Sequence, residues 1–427
     1  MHIVYIHQHF CTNEGSGGTR SHDVSRHLAA LGHQVTMICG VADAGGLKMS
    51  PWYRPFRKYH MSGFDIIVCN VLYSNTQGFL ARLWSFLWFA VLATPAALSV
   101  RKPDLIFATH TPLTVGLPGF IAARTKRVPF VFEVRDLWPE SYILSGNLKE
   151  GWFTKCMEAL EVFLYAKADL ILLVSPGFEK RLRQRGYPAE KLKTVLLGAD
   201  GELFRELRSN DRFRAEHGLE GKTTAVYTGV HGQANGLDYI LDAAKCLVHR
   251  PDIAFLLVGG GMEKPRLVRR AREIDLTNVR FIDYVPKTEL PGILAVCDIG
   301  LMILANVGER PVTPNKIFDY MFAGLPSIVN FPGPTLEMVV ADGTGVFADP
   351  ARPEALAERV AHWADRRDEA RAIGVRAREI AFRKYDRRSI AEQLCETFAR
   401  VCTRHSGGRG SARPSAERQS GAAIPDW

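Results

Sequence analysis

The segment from Thr313 to Pro334, TPNKIFDYMFAGLPSIVNFPGP, holds the residue pair best placed to do chemistry. Lys316 and Asp319 stand three apart in a stretch of helical character that stops at Gly324, before Pro326. Both therefore fall on one face of a first helical turn. A cation, a carboxylate and the free N–H groups of a helix start suit a phosphate with a ribose beside it. The same spacing also suits a plain ion pair on an amphipathic helix. A β-branched run, Ser327 to Val329, follows at once and predicts a strand that turns at Pro332–Gly333–Pro334.

Further polar groups sit where predicted strands end. The run Asp104 to Ala108 leads into Thr109–His110–Thr111–Pro112, and Pro129 to Val134 leads into Arg135–Asp136–Leu137–Trp138–Pro139–Glu140. Open α/β sheets place ligands at such C-terminal ends. His110 and Asp136 are thus candidates to face a reacting hydroxyl. The plainer readings are a strand-end cap or packing role for His110 and a structural Arg135–Asp136 salt bridge. Two glycine-rich turns follow the same logic. Gly229, His231 and Gly232 lie between a strand over Thr223–Tyr227 and a helix over Leu237–Leu247, and Gly259–Gly260–Gly261 closes a strand over Ile253–Val258.

These groups need alternating strands and helices to hold them, and the chain supplies the alternation twice. Ile3 to Ile6, the loop Gly15–Ser16–Gly17–Gly18, a helix ending at Gly32 and the strand Val35 to Cys39 make a βαβ opening. The loop imitates a dinucleotide fingerprint, with Asp43 near the place of a ribose-binding acid. Arg20, however, stands where the third glycine belongs, and the glycines follow the strand too late for the tight turn. Strands over Asp65–Val71, Asp169–Val174 and Lys193–Leu197 extend this half, and a helix spans Trp152–Ala166. Strands over Val279–Ile282 and Asp298–Ile303, with a helix over Thr288–Val296, extend the second. The expected fold is α/β, with two Rossmann-like domains facing each other across a cleft. Domain bounds are expected at 1–200 and 201–385, with a C-terminal helix over 386–404 packing back on the first domain and a disordered tail over 405–427.

Composition narrows the class. Of 427 residues, 47% are hydrophobic and 23% charged, and 54 basic against 45 acidic residues give a net charge of +9. That balance predicts some attraction to anionic surfaces, without the signature of a nucleic-acid binder. Eight cysteines without a CxxC pair predict reduced thiols in a cytosolic compartment rather than a metal or disulfide framework. The N-terminus reads as a strand, not a secretion signal. From Ala44 to Phe64 there is no acidic residue, while Lys48, Arg54, Arg57 and Lys58 alternate with Trp52, Tyr53, Phe56 and Tyr59, as in a loop at a membrane interface or one packing its aromatics on the domain. Leu83 to Val100 carries no charged residue. If its flanking strands share one parallel sheet, it is the crossover helix between them, dipping into a membrane surface or buried, rather than a span.

Taken together, these segments resemble the retaining GT-B glycosyltransferases of family 4, over nearly the whole chain to about Arg404. The subgroup acting in bacterial envelope polysaccharide synthesis, O-antigen and colanic-acid-like and transferring amino sugars, is the most similar. The resemblance is carried by Gly17–Gly18 with Gly32–His33–Gln34–Val35–Thr36, Val134 to Ser141, Ala168–Asp169, Val174–Ser175, Thr228–Gly229 with His231–Gly232, Val258 to Gly261, and Pro314–Asn315–Lys316 through Pro326. It implies that Gly17 and Gly18 approach a donor diphosphate, that the Gly229–Gly232 turn and Lys316 hold its oxygens, and that Tyr284 and Val285 flank the base. It also implies that Asn315 and Gly260 belong to the donor site and that Asp319 grips the ribose. This chain departs from the family in having Asp319 for the usual Glu, Pro311 at the partner acid's position, and Val230 and Asn235 for the usual Arg and Lys. Glu309 and Glu337 are alternatives for the missing acid.

The resemblance implies transfer of a sugar, of the N-acetylated amino class, from a nucleoside-diphosphate donor, UDP-linked, to a lipid-diphosphate-linked saccharide at the inner face of the cell membrane. No Asp-x-Asp motif occurs, so Lys316 and backbone amides are expected to stabilise the leaving diphosphate without a metal and without a cofactor. Arg135, Asp136 and His110 are the expected catalytic-side groups. Two other readings share the fold: a UDP-sugar 2-epimerase, and a non-catalytic sugar-nucleotide-binding subunit of a polysaccharide assembly complex.

Overall fold

The computed structural model describes residues 1–15, 18–42, 46–74, 77–140, 143, 149–305 and 308–410. Gly17, Asp43, Ser141 and the tail from 411 onward lie outside the described residues.

Apolar β-branched runs build two sheets. The first contains β1 (His2–Ile6), β2 (Gln34–Ala42), β3 (Phe56–Met61), β4 (Phe64–Tyr73) and β5 (Leu105–Thr109). It continues with β6 (Phe130–Val134), β7 (Leu170–Leu173) and β8 (Leu192–Thr194), in the order β3-β4-β2-β1-β5-β6-β7-β8. All neighbours are parallel except the β3-β4 hairpin. The second sheet is wholly parallel. Its strands are β9 (Thr223–Thr228), β10 (Ile253–Val258), β11 (Val279–Ile282), β12 (Ile299–Met302), β13 (Ser327–Val329) and β14 (Gly345–Phe347), in the order β11-β10-β9-β12-β13-β14. In each sheet the strand order reverses direction at the first strand, β1 or β9, and the crevice outside the C-terminal ends at such a point is where α/β sheets hold ligands.

The run 44–64, read from sequence as a loop, contains β3. Phe56, Tyr59 and Met61 turn toward the core while Arg57, Lys58 and His60 face outward. Charge on an exposed edge strand is how sheets avoid pairing with other chains, and here it masks the strand pattern. The helix Phe79–Ser99 joins β4 to β5 within the same sheet, so it is a crossover and not a span. It is nonetheless long and apolar enough to cross a membrane, with 28% of its apolar window buried.

The final helix, Arg387–Gly410, is longer than the 386–404 expected and leans on the first sheet. Ile390, Ala391, Leu394, Phe398 and Val401 join the core made by Ile3, Tyr5, Val24 and Phe107. The chain passes between the halves at two adjacent points, where Ala199 bridges to Asp386.

Candidate active site

The helix Lys316–Phe322 is fixed by a buried tyrosine. Tyr320 Oη accepts from Thr228 N at 2.9 Å at the end of β9 and lies 3.3 Å from the Leu301 carbonyl of β12. This sets Lys316 at the mouth of the second sheet. Its ammonium does not pair with Asp319, so the i,i+3 ion pair of the plainer reading is absent. Lys316 Nζ lies instead over the Tyr227 ring, 3.7 Å from its centroid, a cation–π contact. It abuts Gly229, where a Cβ would come within 3.2 Å of it. Removal from water pulls the Lys316 ammonium down to about 7.

The two glycine turns interlock against this cation. Gly229, at φ +131°, and Gly259, at φ +136°, adopt backbone reserved for glycine. A Cβ on Gly259 would stand 2.0 Å from the Gly229 carbonyl oxygen. His231 N donates to Gly260 O at 2.8 Å, and Glu263 N donates to His231 O at 3.0 Å. The His231 ring is fully buried, and neither of its nitrogens has a partner among the described residues. Burial, with Lys264 and Lys316 close by, lowers its pKa to about 4, so it is a neutral imidazole with an unused donor and acceptor. Tyr284 Oη donates to Gly260 O at 2.7 Å, which lays its half-exposed ring across the turn, and Val285 packs against the core beside it.

Asp319 is held by Lys287, which reaches Asp319 Oδ2 at 2.6 Å; the other oxygen, Oδ1, is buried without a partner among the described residues. Lys287 carried no motif and could not be found from sequence. The same is true of Lys264, whose ammonium donates to the carbonyls of Gly259 and Ile282 and to Asp283.

The first sheet presents a different set. Arg135 does not bridge to Asp136. Its Nε donates to Glu133 Oε2 at 2.9 Å and its Nη2 to Ser21 Oγ at 3.1 Å. Glu133, fully buried, also receives Arg20 Nη2 at 2.9 Å and Thr109 Oγ1 at 3.0 Å. Burial alone would raise the Glu133 carboxyl, yet Arg20 and Arg135 hold it at about 2. Arg20, in the place of the missing fingerprint glycine, is thus a buried structural cation. The signal for this cluster was an acid inside the apolar run Phe130–Val134.

His110 is 1% exposed, and both its ring nitrogens lack partners among the described residues. Burial, with His9 and Arg135 near, lowers its pKa to about 3. His9 Nε2 and Gln8 Oε1 are likewise buried and unpartnered, and His9 stacks on Tyr73 with ring centroids 3.8 Å apart. Each such atom costs about 1–3 kcal/mol unless water or a ligand hydroxyl meets it.

The two sets face each other. A Cβ on Gly18 would lie 3.7 Å from Asn315 Nδ2, and Ser175 Oγ is 3.2 Å from Thr313 Oγ1. Arg310, from the second half, sits in the field of Asp136 from the first. The structure therefore brings Asn315, Lys316, Gly229, His231 and Gly260 to one side and Gly18, His110, Arg135 and Asp136 to the other. Among the described residues, one grouping places three potential metal ligands, His27, Asp200 and Asp386, within 4.8 Å of one another. Arg26 Nη2 lies 2.9 Å from Asp200 Oδ2 and 3.2 Å from His27 Nε2, so a cation already stands there.

Comparison with known proteins identifies the family. Residues 15–198 match the glycosyl transferase 4-like domain and residues 222–366 the glycosyl transferases group 1 domain. The chain belongs to the GT-B glycosyltransferases of family 4 and is a glycosyltransferase. It is 24% identical over 285 residues, 66% of its length and 70% of the relative's, to the probable glycosyltransferase WbjE of Pseudomonas aeruginosa. It is also 24% identical over 307 residues, 70% of its length and 75% of the relative's, to the putative colanic acid biosynthesis glycosyl transferase WcaI of Escherichia coli. In fold it is similar to Anabaena Alr3699/HepE, crystallised with UDP and glucose, at a TM-score of 0.70 and 19% identity over 93% of this chain and 99% of that one. Sucrose-phosphate synthase from Thermosynechococcus elongatus gives a TM-score of 0.74 at 17% identity, covering 94% and 99%.

Proposed function

We propose that this protein transfers a sugar from a nucleoside-diphosphate donor, UDP-linked and of the N-acetylated amino class, to a lipid-diphosphate-linked saccharide in surface polysaccharide synthesis, with retention at the anomeric carbon. The observation that carries this is the Lys316 ammonium set against the Gly229–Gly232 turn with the unpartnered His231 ring beside it, a cation and an unused imidazole donor suited to diphosphate oxygens. The relatives acting in colanic acid and amylovoran synthesis support the polysaccharide setting. On the acceptor side, Asp136 and the neutral His110 imidazole orient the incoming hydroxyl, and the departing phosphate takes its proton. Charge stabilisation comes from Lys316 and backbone amides, without a metal or a cofactor.

The test is purified protein with a panel of UDP- and GDP-sugars and a lipid-diphosphate saccharide, with chelator present. Transfer with retained anomeric configuration, read by NMR of the product, is expected. Epimerised free sugar would establish the 2-epimerase reading, and binding without turnover the non-catalytic one.

The same reading places the protein on the inner face of the cell membrane. Along the helix Phe79–Ser99, Ser85, Phe89, Ala93 and Ala97 face inward, while Leu80, Trp84, Leu87, Trp88 and Val91 are exposed. Its exposed first half follows the C-terminal end of β4, the end that carries the site, and Trp52 and Tyr53 precede β3 at that same end. An aromatic and basic rim there would let a lipid-linked acceptor pass from the bilayer to His110 and Asp136. A Trp84→Glu/Trp88→Glu protein is expected to lose about tenfold or more of its sedimentation with anionic vesicles while binding UDP as the parent does. Equal sedimentation would overturn this orientation.

A further inference from the structure

We propose that Lys287 is a positioning residue for the donor nucleotide, holding Asp319 so that one carboxylate oxygen is presented to a ribose hydroxyl. This rests on the nucleotide-diphosphate reading given above. The Lys287–Asp319 pair is nearly removed from solvent, with side-chain exposures of 12% and 7%. It is also lopsided. Lys287 Nζ engages Asp319 Oδ2 at 2.6 Å, while Oδ1, equally buried, has no partner among the described residues. Most buried polar atoms of a fold are met by protein donors. Here the second acceptor stays open three residues from Lys316, the cation set for the diphosphate.

The place of Lys287 in the chain adds a second argument. It lies in the loop between β11 and the helix Leu290–Leu294, three residues after Tyr284, whose hydroxyl pins the Gly260 turn. Lys287 therefore ties the loop beside the base to the helix beside the ribose. It also answers the chain's own departure at this position. An aspartate is one methylene shorter than a glutamate, and a fixed ammonium on Oδ2 restricts the rotation that would otherwise swing Oδ1 out of reach.

The experiment compares binding of UDP and 2′,3′-dideoxy-UDP by calorimetry in the full-length protein and its Lys287→Met and Lys287→Gln variants. The parent is expected to prefer UDP by about tenfold or more, the discrimination of a hydrogen bond to a charged acceptor. In both Lys287 variants the preference should fall to within about twofold, with Lys287→Arg restoring part of it. A merely structural pair would weaken both nucleotides equally and leave their ratio unchanged. An unchanged ratio in whichever Lys287 variant folds, or no preference in the parent, overturns the proposal. Failure of the parent to bind UDP at all would overturn the donor reading itself.

Discussion

Lys316→Met is expected to lower sugar transfer by about 10²–10³-fold, with the melting temperature of the free protein unchanged or raised. The loss follows from where charge develops. As the glycosidic bond breaks, the diphosphate gains negative charge in a site shielded from water, and a preset cation there is worth far more than in solution. Lys316 is that cation, with the Tyr227 ring beneath it and no opposing carboxylate among the described groups that set its pKa. The free protein loses little because a buried ammonium without a counter-ion is a cost to the fold, not a support. Its pKa of about 7 adds a signature. Below pH 7 the ammonium is charged and meets the diphosphate directly. Above it, binding must first recover a proton, so UDP affinity should fall with rising pH, by up to about tenfold per unit from 7 to 8.5. Lys316→Arg stays charged across that range, so its profile should be flat. Normal turnover in Lys316→Met, or a flat profile in the parent, would remove Lys316 from the diphosphate site.

The second large effect lies in stability. Glu133→Gln should cost about 3–5 kcal/mol, because Arg20 and Arg135 then face a neutral amide inside the first sheet. For a domain of this size that is a fall of about 10 °C in melting temperature. The pH dependence has a definite sign. The folded pKa of Glu133, about 2, lies below its unfolded value near 4.5, so its contribution is fully present above about pH 4.5 and disappears as pH falls toward 2. Parent and variant should therefore converge in acid. A constant gap from pH 7 to 3 would mean that the charge of Glu133 is not what stabilises the cluster.

The strands and glycine turns were legible because they are local. Ile253–Val258 and Val279–Ile282 appear over the residues read from their apolar runs, and the Lys316 helix and Ser327–Val329 strand follow from a glycine stop and a β-branched run. The electrostatic partners were not legible, because proximity made by folding leaves no mark on spacing. Lys287 is 32 residues from Asp319 and Arg20 is 113 from Glu133. Sequence reasoning paired Lys316 with Asp319 and Arg135 with Asp136 because they are neighbours along the chain. Desolvation rewards the partner that also completes a buried hydrogen-bond set, and that partner came from elsewhere.

The final helix carries a consequence for the order of events during synthesis. The face of the first sheet around Tyr5 and Phe107 is covered by Ile390, Leu394 and Phe398, with the Phe107 and Phe398 rings 5.1 Å apart. That sheet is built from the first half of the chain, so on the ribosome it stays uncovered while about 200 further residues are added, about 10–40 s at bacterial rates. The first half thus exposes this apolar face while the second is being made, and chain termination before residue 390 is expected to leave it open to aggregation.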